Sequence, residues 1–285
     1  MKLLLAVIAN LTDFVFNKLG IIMALKTMIQ SSLEKFGISV RRVKRRPYQE
    51  LLKNSTRYVE TTIDLLGRPF TIADGQSFYF SYREIFVQEI YQFKTSSDTP
   101  RIIDCGSNYG TSIIYFKNIF PKAKITGVEA DSHIFTLLSK NTRHLEVELL
   151  NKAVSANHNP VTFFSEGSDG GRAGHSIDGV ASVTVEATTL DDLIDGSVDF
   201  LKLDIEGSET DAIEACTKLH LVNALFIEYH SFNNSEQLLG NLLLKLKNEG
   251  FRYYIHHQFC SPTPLMVETV QLGMDLQLNI FAKRI

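Results

Sequence analysis

The chain has 285 residues, which is enough for one α/β domain with an extension or for two domains, and we interpret it as one main domain. A hydrophobic content of 44% excludes wholesale disorder, and a formal net charge of -3 gives no global reason to expect a nucleic-acid partner. The three cysteines are far apart and lack CxxC or metal-finger spacing, so we predict a reducing compartment and no structural disulfide.

Residues 1–46 are predicted to form a helical extension. Apolar residues between Leu3 and Val15 recur at helical spacing, and Asp13 and Lys18 argue against a transmembrane span. The extension ends in the basic cluster RRVKRR, from Arg41 to Arg46, before a break at Pro47. Two interpretations stay open: a helical cap with a solvated charge run, or a helix that docks on an anionic membrane surface. We therefore predict a cytoplasmic protein, membrane-associated under the second interpretation.

From about residue 50 the chain alternates segments typical of strands with segments typical of helices, without an internal repeat. The predicted strands are RIIDC, KITGVEA, VELLNKAV, PVTFFSE, ASVTVEATTL, VDFLKLDIEG, NALFIEYH, FRYYIHH and LQLNIFAKR. The predicted helices are TSIIYFKNIF, SHIFTLLSKNTR, TTLDDLI, SETDAIEACTKL and SEQLLGNLLLKLKNEG. This order predicts an α/β domain over residues 47–285, with a mostly parallel sheet, helices on both faces and ligand sites at the carboxyl ends of the strands.

The turn DCGSNYG follows the first of these strands. Asp104 ends the strand, Gly106 permits a tight turn, and Gly110 opens the next helix, while Asn108 between the glycines departs from the pyrophosphate fingerprint GxGxxG. Glu129 ends the next strand at the distance typical of a carboxylate that binds ribose hydroxyls. An acidic residue before the turn suits a cationic ligand better than a pyrophosphate. S-adenosylmethionine has a ribose, an ammonium and a sulfonium but no phosphate, and fits this pattern.

Two further pairs of polar residues stand at strand ends. Asp204 and Glu206 follow VDFLKL, and Glu228 and His230 lie two residues apart in LFIEYH. Such groups can position or deprotonate a hydroxyl, or bind a divalent cation through oxygen and imidazole ligands. Ordinary strand-end polarity and helix capping are the alternative, and metal dependence stays open.

With these motifs the chain resembles the class I S-adenosylmethionine-dependent methyltransferases, and among them the FkbM family, from about residue 99 to residue 257. IIDCGSNYG is similar to the family's strand-one motif, GVEADSHIF to its strand-two motif, and NKAVSA to the segment beside the adenine. TTLDDLI followed by VDFLKLDIEGSE is similar to its most distinctive signature. Asn108 and Tyr109 replace smaller residues of the wider superfamily motif, and the first hundred residues match nothing, which leaves the choice of acceptor open.

The resemblance implies a Rossmann-like seven-stranded sheet, with six parallel strands and the last antiparallel, that binds S-adenosylmethionine. It places Asp104, Gly106 and Gly110 beside the methionine part, Glu129 on the ribose, and the backbone around Ala153 on the adenine. Asp204 lies beside the transferred methyl group by the same comparison. The remaining predicted cofactor contacts are Ser107, Asn108 and Ala130.

These observations predict an O-methyltransferase that acts on a hydroxyl of a sugar, glycan or small hydroxylated metabolite. Asp204 or His230 is expected to be the general base, with Glu206 and Glu228 orienting the acceptor or a cation. The glycine-rich loop from Glu166 to Ser176 is expected to cover the acceptor. A nicotinamide-dependent oxidoreductase and a non-catalytic or membrane-docking protein on the same fold are the alternatives. No nucleic-acid partner is expected, and the oligomeric state stays open.

Overall fold

The computed structural model describes residues 52–164, 172–173, 182–267, 269–271 and 273–284. The predicted helical extension over residues 1–46 lies outside the described residues, as does most of the predicted acceptor loop from residue 166 to residue 176. In the part of the chain that is described, no helix is long and apolar enough to cross a membrane.

A seven-stranded sheet forms the centre of the fold. Its strands are β3 (Arg101–Cys105), β4 (Lys124–Val128), β5 (Glu148–Leu150), β11 (Val198–Leu203), β12 (Val222–Phe232), β13 (Phe251–Cys260) and β14 (Met274–Arg284). They are hydrogen-bonded in the order β13, β14, β12, β11, β3, β4, β5. Only β14 is antiparallel to its neighbours, so six strands share one direction. The predicted mixed sheet with one reversed last strand is confirmed.

Helices cover both faces of this sheet. They are α2 (Thr111–Ile119), α3 (Ser132–Thr142), α4 (Leu190–Leu193), α5 (Glu209–Ala215) and α6 (Leu239–Asn248), with a 3₁₀ turn at Leu219–Leu221. Neighbouring residues of β3 belong to two hydrophobic clusters, Ile103 with α5 and α6, and Ile102 with α2. This follows from the alternation of side chains along a strand that is buried on both faces.

Local sequence sets the starts of two helices. The Asp131 carboxylate accepts hydrogen bonds from the backbone N–H groups of His133 and Ile134 at the start of α3. Thr189 and Asp192 form a reciprocal capping box at α4, which explains how a four-residue helix persists in TTLDDLI. Both caps satisfy N–H groups that a helix start leaves without partners.

The predicted third strand, VELLNKAV, is divided into β5 and β6 (Ala153–Val154). Asn151 lies at the break, and its side-chain Nδ2 donates to the carbonyl oxygens of Glu129 and Ala130. β6 leaves the main sheet and pairs with β10 (Ala187–Thr188). Beyond it, β7 (Val161–Phe164) pairs with β8 (Arg172–Ala173) and β9 (Ser182–Val185) in a small antiparallel sheet.

An N-terminal hairpin and helix precede the main sheet. β1 (Thr61–Leu65) and β2 (Arg68–Ile72) form the antiparallel hairpin, and α1 (Gly75–Tyr82) continues directly into a π-helical segment, Arg83–Val87. The Asn141 side chain of α3 donates to the Thr71 and Tyr109 carbonyl oxygens and accepts from the Thr71 N–H. One buried amide thus joins the hairpin to the turn after β3.

Candidate active site

A cavity of about 590 Å³ lies where the carboxyl ends of β3, β4, β11 and β12 meet. Its wall includes Gly106, Ser107, Asn108, Glu129, Ala130, Ala153, Asp204, Glu206 and Glu228. Most of the residues predicted from the sequence are therefore brought to one cavity. Asp104, Gly110 and His230, which were also predicted, are not part of that wall.

The turn after β3 is tightly fixed. The N–H groups of Gly106 and Ser107 both donate to the Val128 carbonyl oxygen, at 2.9 Å each. Gly106 has φ +77, and a Cβ at this position would lie 1.7 Å from the carbonyl oxygen of Asp204. Glycine is required here because the backbone is left-handed and because the end of β11 crosses directly over it.

Glu129 is buried behind this turn and reaches the cavity wall. Its carboxylate accepts from the N–H groups of Asn108 and Asp131, each at 2.8 Å. Burial raises the pKa of Glu129 to about 7, although those two hydrogen bonds oppose the rise. The carboxylate predicted to bind a ribose thus titrates near neutral pH.

Asp104 is fully buried and is paired within the protein. Its Oδ1 lies 3.4 Å from the Lys202 Nζ, and its Oδ2 accepts from the Ser112 hydroxyl at 2.5 Å. Burial raises the pKa of Asp104, and the Lys202 ammonium opposes that rise. The structure therefore gives Asp104 a cationic partner within the chain, whereas the sequence suggested a cationic ligand.

Lys202 is a site residue that sequence reasoning missed. It is 2% exposed, donates to the Gly106 carbonyl oxygen at 2.7 Å, and lies 3.2 Å from Asp204 Oδ2. Burial alone would lower its pKa, but the carboxylates of Asp204 and Asp104 raise it well above its ordinary value. A lysine inside the otherwise buried strand VDFLKL was the signal, because buried lysines are almost always paired.

The turn after β11 carries Asp204 and Glu206 into the cavity. The Asp204 side chain is 23% exposed. Glu206 has φ +58, a left-handed conformation that is uncommon outside glycine. Glu209 stabilises the turn, because its carboxylate accepts from the N–H groups of Ile205 and Gly207. The helix predicted to begin at Ser208 in SETDAIEACTKL accordingly begins at Glu209.

His230 lies behind the wall, between two carboxylates. Its Nδ1 is 3.0 Å from Glu209 Oε1, and its Nε2 is 3.6 Å from Glu206 Oε2. Burial would lower the pKa of His230, but Glu206 and Glu209 raise it well above its ordinary value. The two carboxylates thus favour the protonated form of the imidazole, which weakens His230 as a proton acceptor.

Glu228 completes the acidic side of the cavity. Burial and the charge of Asp204 raise its pKa well above the ordinary value, while His230 opposes the rise. Ligand atoms of Asp204, Glu228 and His230 lie within 4.8 Å of one another, so these three residues could hold a divalent cation. A cation there would compete with a proton for His230, because a metal-ligating imidazole nitrogen must be deprotonated.

The family model for the methyltransferase FkbM domain matches residues 104–253, which include β3, β4, β11 and β12 with the cavity residues at their ends. The chain belongs to the FkbM methyltransferase family. A methyltransferase of Sordaria araneosa named sdnD is 27% identical over 207 residues, covering 55% of this chain and 79% of that protein.

Two solved structures are similar at low sequence identity. An FkbM methyltransferase from Methylobacillus flagellatus KT is 14% identical with a TM-score of 0.45, over 73% of this chain and 52% of that one. This chain thus spans about half the length of that FkbM protein. M. jannaschii TYW2, solved in complex with AdoMet, is 12% identical with a TM-score of 0.42, over 81% of this chain and 89% of that one.

S-adenosylmethionine is the methyl donor of this FkbM methyltransferase. The residues present fit that molecule. The Thr111 hydroxyl is buried in the cavity wall at the start of α2 and has no hydrogen-bond partner among the described residues, so it is available to a polar ligand. Glu129 offers a carboxylate to hydroxyl groups, and Gly106 lets the backbone approach the ligand closely.

Proposed function

We propose that this protein is an S-adenosylmethionine-dependent O-methyltransferase that acts on a hydroxyl of a sugar, glycan or small hydroxylated metabolite. The position of Asp204 is the observation that carries the proposal. Its backbone crosses the Gly106 turn of the donor side, and its carboxylate lines the same cavity as Glu206 and Glu228. With S-adenosylmethionine beside the Gly106 turn, as predicted, Asp204 is the carboxylate that adjoins the methyl donor.

When bound, S-adenosylmethionine supplies an electrophilic methyl group on a sulfonium. The Asp204 carboxylate would accept the proton of the acceptor hydroxyl as its oxygen bonds to the methyl carbon, while the bond from that carbon to the sulfonium sulfur would break and leave S-adenosylhomocysteine. Lys202 holds Asp204 and the Gly106 carbonyl at fixed separation, which keeps the base aligned with the donor turn. His230 positions the Glu206 and Glu209 carboxylates, and its raised pKa is the reason that we assign the role of base to Asp204.

Asp204→Asn tests this role because it keeps the shape of the side chain and removes the base. We expect turnover to fall about 10²- to 10⁴-fold, the usual contribution of a general base. Labelled S-adenosylmethionine and a panel of glycans and small hydroxylated metabolites supply the assay. Glu214→Gln, which removes an exposed carboxylate outside the cavity, is the matched control. Wild-type turnover in Asp204→Asn, with cofactor binding intact, would contradict the assignment.

Donor identity has a separate test. S-adenosylmethionine should raise the thermal unfolding midpoint, because a ligand that binds only the folded state stabilises it, whereas NAD should leave it unchanged. A shift with NAD alone would favour the oxidoreductase alternative.

Membrane contact through residues 1–46 stays a prediction, which liposome sedimentation of the full chain and of a variant lacking those residues would check.

A further inference from the structure

One side of α1 and its π-helical continuation faces the active-site cavity. Six of its residues line that cavity: the buried Ile85 and five others that we call the α1 face, namely Gln76, Ser77, Phe80, Ser81 and Glu84. They recur at intervals of three and four, as residues on one side of a helix do. The opposite side, with Phe78, Tyr79 and Tyr82, is buried in the core of the N-terminal hairpin. The α1 face precedes residues 104–253, so the family match assigns it no role.

Phe80 is the aromatic member of the α1 face. It is 55% exposed although it borders the cavity, and its ring is held edge-on by Tyr79, with centroids 5.3 Å apart. A ligand that packs on the exposed face of this ring would bury its apolar surface, which favours binding. The C–H groups of a sugar ring are suited to this contact, because the face of an aromatic ring carries partial negative charge.

Glu84 is the charged member of the α1 face. The Gln258 side-chain amide donates to its Oε1 at 2.7 Å, and Gln277 donates in the same way to Glu228. Each carboxylate is thus oriented by a neutral amide, which brings no opposing charge to it. Burial raises the pKa of Glu84, an effect that the Gln258 hydrogen bond opposes and the charge of Asp204 increases.

The cavity wall as a whole is acidic. Its carboxylates are Glu84, Glu129, Asp131, Asp204, Glu206 and Glu228, and its cationic side chains are Arg57, Lys152 and Lys202. Each of these three cations already pairs with a carboxylate. An anionic acceptor would therefore bring its charge close to carboxylates without a matching cation, which is unfavourable in a partly buried cleft.

We propose that the α1 face selects the methyl acceptor, and that the acceptor is a non-anionic sugar ring that stacks on Phe80 and donates a hydroxyl hydrogen bond to Glu84. This inference rests on the proposed methyltransferase function and names its acceptor class. Phe80 and Glu84 act in recognition, and Asp204 remains the residue at the reacting hydroxyl.

The experiment compares neutral sugars with their uronic acids: methyl glucoside with methyl glucuronide, and methyl galactoside with methyl galacturonide. Methyl transfer is measured for the wild type, Phe80→Ala and Glu84→Gln. Tyr254→Ala and Glu214→Gln serve as controls, since they alter an exposed aromatic ring and an exposed carboxylate outside the cavity wall. Binding of S-adenosylmethionine, by calorimetry, is measured for every variant.

We expect the wild type to methylate a neutral sugar and to discriminate against its uronic acid. Phe80→Ala should raise KM for the neutral sugar about tenfold with little change in kcat. Glu84→Gln should weaken the discrimination about tenfold, because it removes the repelling charge. In both variants S-adenosylmethionine should bind as in the wild type, and the two controls should match the wild type throughout.

Three results would overturn the inference: equal turnover of neutral and anionic sugars by the wild type, kinetics of Phe80→Ala and Glu84→Gln that match the controls, or no methylation of any sugar by protein that binds S-adenosylmethionine. The last result would leave the donor site intact and reject the sugar ring as acceptor. Loss of S-adenosylmethionine binding by the wild type would instead contradict the proposed function itself.

Discussion

Glu129 combines a buried carboxylate with a pKa of about 7, raised by burial. Ribose hydroxyls donate to the ionised form, so cofactor binding should improve as pH rises through that value. We expect the Kd of S-adenosylmethionine to be roughly tenfold higher at about pH 6 than at about pH 8. Calorimetry across this range checks the prediction, and Glu129→Gln should bind more weakly with a flat profile in the same window. A slope that survives in Glu129→Gln would assign the titration to another group.

The same group affects folding in the opposite sense. Its folded-state pKa is raised, so its contribution to the free energy of unfolding is fully present below the ordinary value of 4.5 and is lost as pH rises through about 7. Above about pH 7, where the cofactor binds best, the protein without its cofactor has therefore already lost this contribution to its stability. Bound cofactor offsets that loss, since a ligand specific for the folded state stabilises it.

Lys202 neutralises a buried carboxylate that water does not reach. Lys202→Met would leave Asp104 buried and unpaired, so we expect a loss of about 3–5 kcal/mol in the free energy of unfolding. Urea denaturation measures this loss. The double variant Lys202→Met/Asp104→Asn should recover part of it, because it removes the isolated charge. If the single variant were as stable as the wild type, the Lys202–Asp104 ion pair would not contribute to the stability of the fold.

At the scale of the elements, the turn between β3 and α2 depends on Gly106, as a comparison with Gly67 in the N-terminal hairpin shows. Gly106→Ala would place a Cβ 1.7 Å from the Asp204 carbonyl oxygen, whereas Gly67→Ala, at φ +85, would meet no atom within 4 Å. Both changes introduce left-handed strain of about 1–2 kcal/mol. Only the first adds a steric clash, so its loss of stability should be larger by at least ~2 kcal/mol.

Urea denaturation of the two variants separates the cost of backbone strain from that of the steric clash. Calorimetry measures whether each variant still binds S-adenosylmethionine. Gly106→Ala should also lose S-adenosylmethionine binding, while Gly67→Ala should keep it. Equal losses in the two variants would mean that the close approach of β11 to this turn does not constrain the fold.

Sequence patterns predicted the central elements because those elements are locally determined. β3 and α2 follow from apolar spacing and a glycine turn, and α4 from its capping box. The division between β5 and β6 was not predicted, because it depends on hydrogen bonds from Asn151 to the carbonyls of Glu129 and Ala130. Such contacts between distant segments do not produce a periodic pattern in the sequence.

The candidate site shows the same limit. Asp204 and Glu129 were predicted because strand ends of a parallel sheet converge. Glu84 could not be, because its partner Gln258 is 174 residues away and neither residue lies in a recognisable motif. His230 was predicted as a candidate base from its type and its place at a strand end, whereas its raised pKa is caused by Glu206 and Glu209, which approach it from a different segment.

At the scale of the whole molecule, the charge of the cavity should govern how the ligand arrives and stays. S-adenosylmethionine has a net positive charge, and its demethylated product S-adenosylhomocysteine, which lacks the sulfonium, does not. Salt screens charge interactions beyond about 10 Å at 0.1 M ionic strength. The Kd of S-adenosylmethionine should therefore rise more steeply with sodium chloride than that of the product, which calorimetry at several salt concentrations measures. Identical slopes would show that the excess carboxylates of the wall do not act on the ligand.

The position of Asn141 has a consequence for how such an enzyme diversifies. Its buried amide ties β2 to the turn after β3, and only two residues separate the end of β2 at Ile72 from the start of α1 at Gly75. The backbone spacing between α1 and that turn is therefore held by a buried side chain, Asn141, that lies outside the cavity wall. Substitutions among Phe80, Glu84 and their neighbours can change which molecule is accepted during evolution, while the frame that aligns it with the methyl donor is inherited unchanged.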